Sequence, residues 1–180
     1  LFRSGGPLSR AHVVTLRAGE TAFDQVRGQT LPLEAEVLKL RGPSENDPSW
    51  ACVLYDRAAS ACTLYGERPA ECRALFCQDT SELAAMYDQD RLSRRDFFPP
   101  GHGVLAVMAE HEALVPAGRV APLAGLLRAG GQDALDAGEE LARMALADQA
   151  FRKGLAERAG IGPDMHDFFL GRPAWALFAA

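Results

Sequence analysis

The sequence predicts a mainly α protein with a small antiparallel β element, an α+β fold whose β hairpin carries part of a cysteine cluster. Three observations lead there. Apolar residues recur at helical spacing through the second half, most clearly Met144, Ala147, Phe151 and Leu155, while the charges lie on other faces. The stretches WACVLYD and ACTLY, at 50–56 and 61–65, read as two strands joined by a short turn. Finally, 180 residues with 48% hydrophobic and 24% charged content suffice for one full core. A single compact domain over 1–180 is therefore expected, with a cysteine-cluster core at 36–96 and a helical remainder at 97–180.

Taken in order, LSRAHVVTLRA (8–18) is expected to form a helix, with Ser9 as its N-cap and Gly19 just past its end. TAFDQVRGQTLPLEA carries no clear period and is expected to be mostly irregular. EVLKL (36–40) alternates as a half-buried strand does, and RGPSENDPS is a loop. A turn centred on Arg57 would set Cys52 opposite Cys62 on one sheet face. Pro69 suits the first position of a short helix, PAECRAL, because its missing N–H would be unsatisfied there anyway. Cys72 lies in that turn, and Cys77 follows about 140° further around a continuous helix. Both thiols face one point only if the helix ends or bends between them.

The remainder reads as helices. DTSELAAMY starts at an Asp79/Thr80 cap and is expected to bury Leu83, Met86 and Tyr87. Ser93 caps a turn through RRDFF, which Pro99 and Pro100 stop. GVLAVMAEHEAL, VAPLAGLLRAG, a long segment at 134–158 and IGPDMHDFFL follow as helices, and GRPAWALF packs the tail. His102 and His111 fall on opposite faces of one helix, and His111, between Glu110 and Glu112, reads as an exposed residue.

A net charge of −5 argues against nucleic acid or a membrane surface as partner, because both call for a basic stripe. The one basic knot, RLSRR at 91–95, is flanked by Asp90 and Asp96 and reads as a solvated helix face. The longer apolar runs, VLAVMA and AWALFAA, are too short to span a bilayer. Four cysteines are too few for a disulfide scaffold in a chain of this size, so a reducing, cytoplasmic setting is expected.

Those four cysteines are spaced C-x9-C-x9-C-x4-C, three of them within 62–77. Four thiolates would satisfy the tetrahedral preference of zinc, or hold an iron–sulfur cluster, which makes Cys52, Cys62, Cys72 and Cys77 the candidate ligands. No CxxC knuckle aims two sulfurs at one metal, and the competing reading is packing, since free cysteine behaves as a small hydrophobe. Arg68 and Arg73 either favour thiolate at Cys72 or pair with Glu67 and Glu71. Tyr65 and Phe76 read as core residues.

The run WACVLYD…ACTLYGERPAECRALFCQDT resembles the YkgJ-type cysteine-cluster family, the zinc- or iron-chelating domain called CxxCxxCC. Cys52, Cys62, Tyr65, Arg68, Pro69, Cys72 and Arg73 match its pattern, and Cys77 continues it. The likeness is specific over 36–96. The family's upstream cysteine motif, which precedes a segment like GGPL, is not in this sequence: Leu1 and Phe2 stand where its double cysteine would fall, or the motif lies before Leu1. The resemblance implies a metal-binding protein whose cofactor and partner is zinc or iron, an iron–sulfur cluster included. Two alternatives remain. One is a methyl-transferring enzyme like the lysine N-methylases, although no glycine-rich strand–turn–helix offers a nucleotide site. The other is a degenerate, metal-free interaction module.

Overall fold

The computed structural model describes residues 8–24, 26–42, 51–76, 78–87 and 89–178. Among them six short strands pair into three separate two-stranded antiparallel sheets, and helices make up most of the rest. The expected α+β class is what the chain adopts.

Strand β1 (Val13–Leu16) replaces the expected amino-terminal helix, of which only a 3-10 turn at Arg10–His12 survives. Val13, Val14 and Thr15 are β-branched in succession, which costs side-chain freedom in a helix and suits a pleated strand. β1 pairs with β4 (Val37–Leu40) in the register Val13↔Leu40 to Leu16↔Val37, so Arg17 and Glu36 leave the ladder together at one end. Residues expected to be irregular form a second hairpin, β2 (Thr21–Asp24) with β3 (Gln29–Pro32). Its turn is held by Asp24, whose Oδ1 accepts the N–H groups of Val26 at 2.9 Å and Arg27 at 2.8 Å, and Gly28 supplies the positive φ of +68°.

The third hairpin joins β5 (Tyr55–Asp56) to β6 (Ala61–Cys62). Its register pairs Tyr55 with Cys62, because Asp56 Oδ1 accepts from both Ala58 and Ala59 and moves the turn beyond Arg57. Cys52 is thus not opposite Cys62. Helix α1 (Ala70–Ala74) starts one residue later than Pro69, which serves as its N-cap. In α2 (Ser81–Met86) and just after it, Leu83, Met86 and Tyr87 are half-buried rather than buried.

The larger helices are α3 (Gly103–Leu114), α4 (Ala117–Ala129), α5 (Gln132–Ala159), α6 (Pro163–Leu170) and α7 (Ala174–Phe178). They enclose two apolar clusters. Val120 and Leu123 of α4, Leu141 and Met144 of α5, and Leu177 of α7 form the first. Val13 of β1, Met108 of α3, Leu155 of α5 and Phe168 to Leu170 of α6 form the second. Phe97 and Phe169 each meet the Phe168 ring edge-on, with centroids 5.4 and 5.2 Å apart. No helix among the described residues is long and apolar enough to cross a membrane.

Candidate functional site

The three described cysteines, Cys52, Cys62 and Cys72, do not form the expected metal centre. Among the described residues, no group of three or more His, Cys, Asp or Glu is placed to hold a metal ion. Cys62 faces Tyr55 in the hairpin, and Cys52 accepts the Leu54 N–H at 3.4 Å. Burial pushes the Cys72 thiol up, with Cys52, Glu71 and Cys62 adding to it and Arg68 opposing weakly. The Arg68 guanidinium stacks over the Tyr65 ring at 3.9 Å and donates to the Tyr65 carbonyl, so it pairs with neither Glu67 nor Glu71. Tyr65 and Phe76 lie exposed, not in a core. Helix α1 does end between Cys72 and the position of Cys77, but Cys77 itself lies outside the described residues. Zinc, iron and an iron–sulfur cluster are therefore not supported by the three cysteines described.

A different constellation forms where the β1–β4 ladder ends. Arg17 and Glu36 emerge there, beside a 3-10 turn at Arg94–Phe97, helix α3 and the start of α4. The Asp96 carboxylate accepts from both the N–H and the hydroxyl of Ser93, at 2.6 and 2.9 Å, and locks the turn that carries Arg94 inward. On α3, Leu105, Met108, Ala109 and Glu112 follow the i, i+3, i+4, i+7 spacing of one helix face, and all four line a cavity of about 570 Å³. Arg17, Glu36, Ser93, Arg94 and Arg95 complete its polar wall. Gly19, at φ +79°, permits the close approach of the β1–β2 turn to α4: a Cβ there would stand 2.8 Å from the Gly118 Cα.

Both arginines are buried, at 2% and 1% exposure, so the expected solvated face at 91–95 is wrong for Arg94. Arg94 is saturated. Its Nε and Nη2 donate to Glu36 Oε2 at 3.0 and 2.7 Å, its Nη1 to the Phe169 carbonyl at 2.6 Å, and its Nη2 also meets Glu112 Oε1. Arg17 is not. Its Nη1 donates to the Val115 carbonyl at 2.6 Å, while Nε and Nη2, both shielded from solvent, have no partner among the described residues. These two nitrogens form one edge of the guanidinium, a fork of near-parallel N–H groups shaped for two oxygens of a carboxylate or phosphate. Arg94 presents the same edge to Glu36. Burial lowers the Arg17 pKa, with Glu20, Asp148 and Glu112 acting against it, yet a guanidinium keeps its charge at neutral pH.

No family model, curated protein or solved structure matches this chain.

A buried polar spine includes His111, which was expected to be exposed. His111 is fully buried, and its Nε2 lies 2.9 Å from Asp148 Oδ1. Asp148 Oδ2 accepts from Arg152 Nε at 2.9 Å and from the Ala174 N–H at 3.1 Å. Arg152 continues to Asp167 and to the Gly171 carbonyl. Burial alone would raise the Asp148 pKa, but the bonds from His111 and Arg152 outweigh it and hold it at about 2. Burial lowers the His111 pKa despite the bond to Asp148, so the imidazole is neutral and donates through Nε2. A signal for Arg17 did exist: Val13, Thr15 and Arg17 share one face once β1 is read as a strand, because strand faces repeat every two residues.

Proposed function

We propose that the protein binds a small molecule bearing an oxoanion, carboxylate or phosphate, in the cavity lined by Arg17, Arg94 and α3. One observation carries this reading: Arg17 lines the cavity, is buried, and keeps two N–H donors of one edge without a partner among the described residues. Leaving donors of a charged group buried and unsatisfied costs about 1–3 kcal/mol or more, so a chain that keeps such an edge gains by supplying it with acceptors. Its counterpart Arg94, satisfied by Glu36 on the same wall, supports a carboxylate-like guest. Cavities of this size accommodate metabolite-sized ligands, and the α3 face supplies the apolar contact such sites use.

The test is calorimetric titration and thermal unfolding with acetate, a branched-chain carboxylic acid, inorganic phosphate and sulfate. Binding is expected from at least one class, and Arg17→Lys, which keeps the charge but loses the fork, should weaken it about ten-fold or more. Comparison of the carboxylate and phosphate arms identifies which oxoanion is preferred. Equal affinity in wild type and Arg17→Lys, or no binding from any of the four, would overturn the proposal.

A further inference from the structure

Three guanidinium groups line the cavity, and they differ in what they can still reach. Arg94 commits its donors to Glu36, Glu112 and the Phe169 carbonyl. Arg17 is held by the Val115 carbonyl and is shielded from solvent. Arg95 is the open one. It stands exposed beside Arg94 in the same 3-10 turn, and its side chain makes no hydrogen bond or ion pair among the described residues. The turn's own carboxylate, Asp96, is committed to the Ser93 N–H and hydroxyl.

Over the whole wall, three arginines face two carboxylates, Glu36 and Glu112, which leaves the cavity one unit positive. The amino end of α4 adds to that sign. Pro116, Ala117 and Gly118 line the cavity, Pro116 supplies no side-chain cap, and the first turn holds no acidic residue. A surplus of one unit suits a monoanion, whereas a dianion would bring more charge than the wall neutralises and would meet both glutamates. On α3 the apolar residues Leu105, Met108 and Ala109 run for about 6 Å along the axis, the length of a chain of about five or six carbons.

We infer that the guest is a monocarboxylic acid with an apolar body, and that Arg95 is the residue that draws it in. This rests on the oxoanion reading above and adds to it the ligand's charge, its body and its point of capture. Because Arg95 is solvated, its pull acts over distance, is weakened by salt and changes affinity only a few-fold. Arg17 differs in this, since salt screens a buried charge far less.

Calorimetry on the full chain tests this with isocaproate, with isoamyl alcohol, which lacks the charge, and with inorganic phosphate. Isocaproate should bind at least about five-fold more tightly than phosphate. In Arg95→Gln, isocaproate affinity should fall about three-fold at about 20 mM salt, and the difference should vanish near about 0.5 M. Arg17→Lys should weaken isocaproate at both salt concentrations, and isoamyl alcohol should not distinguish Arg95→Gln from wild type. Thermal melts confirm that Arg95→Gln folds as wild type does. No loss in Arg95→Gln at low salt, or a loss that persists at high salt, would overturn the capture role and leave the oxoanion reading standing. Phosphate binding as tightly as isocaproate would overturn the monocarboxylate class and likewise leave that reading standing. Silence from isocaproate and phosphate alike would remove both.

Discussion

His111 Nε2 lies 2.9 Å from Asp148 Oδ1, and that contact ties α3 to the middle of α5 in a place where the imidazole is wholly shielded from water. The pair sets a pH dependence whose direction follows from both groups. Asp148 falls from 3.8 to about 2 in the folded protein, so its contribution to stability is complete above pH 3.8 and is lost as pH drops toward 2. His111 also has a lowered folded value, against 6.5 when exposed, so the folded state resists its protonation and stability declines as pH falls below 6.5. Thermal melts from pH 8 to pH 3 should show a decline beginning below 6.5 and steepening below 4. Asp148→Asn should lose about 3 kcal/mol at neutral pH and flatten the acid limb. A variant with the wild-type acid profile would exclude Asp148 as its source.

Arg94 is the most heavily bonded side chain of the cavity wall. Replacing it with Met keeps the volume but leaves Glu36 and Glu112 facing each other and the Phe169 carbonyl without its donor. A loss of about 3–5 kcal/mol in urea unfolding is expected, because one partner of a buried charge group has been removed. A loss under about 1 kcal/mol would show that water satisfies both carboxylates.

Gly171 and Gly160 separate backbone strain from ligand binding. Both have positive φ, +75° and +64°. A Cβ at Gly171 would stand 3.0 Å from Arg17 Cγ and 3.0 Å from the Thr15 carbonyl, whereas one at Gly160 would meet nothing within 4 Å. Gly160→Ala should cost roughly 1 kcal/mol, the usual left-handed penalty, and leave ligand affinity unchanged. Gly171→Ala should cost more and also weaken ligand binding, since it presses on the stem of Arg17. Equal effects of the two variants on affinity would refute the coupling.

Cys72 gives a prediction about reactivity. Burial and neighbouring thiols favour its protonated form, so at pH 8 it should react with iodoacetamide more slowly than glutathione does. Peptide mapping after timed alkylation measures this directly. Faster labelling than glutathione would mean that the hairpin and α1 stabilise thiolate after all.

What could be read from the sequence was whatever depended on local pattern. The stripe Met144, Ala147, Phe151 and Leu155 lies along α5, EVLKL contains β4, and Ser93 opens the turn at 94–97. Where a partner distant in sequence decides the outcome, local pattern failed. Val13 to Leu16 becomes a strand by pairing with Val37 to Leu40, and the Thr15 hydroxyl is committed to the Phe168 carbonyl, 153 residues away. The β2–β3 hairpin left a fainter sign in the Asp24 and Gly28 spacing, which marks a turn only when the asparate-type side chain is seen to accept backbone N–H groups. The cavity residues were harder still. Arg17, Arg94 and His111 resemble surface residues in sequence because their burial is offset by partners supplied from other elements. Clustered cysteines drew attention by rarity, but rarity says nothing about where a hairpin register will put them.

Helix α5 runs for 28 residues, about 42 Å, with Leu141 and Met144 in one apolar cluster and Leu155 in the other. Neither cluster can come apart without stripping one half of this helix of its packing, and a helix loses its remaining turns cooperatively once an end is released. The amides midway along α5, around the buried Asp148, should therefore be the last to exchange with deuterated solvent, and should do so only when the protein opens as a whole. One rod shared by two cores turns them into a single cooperative unit.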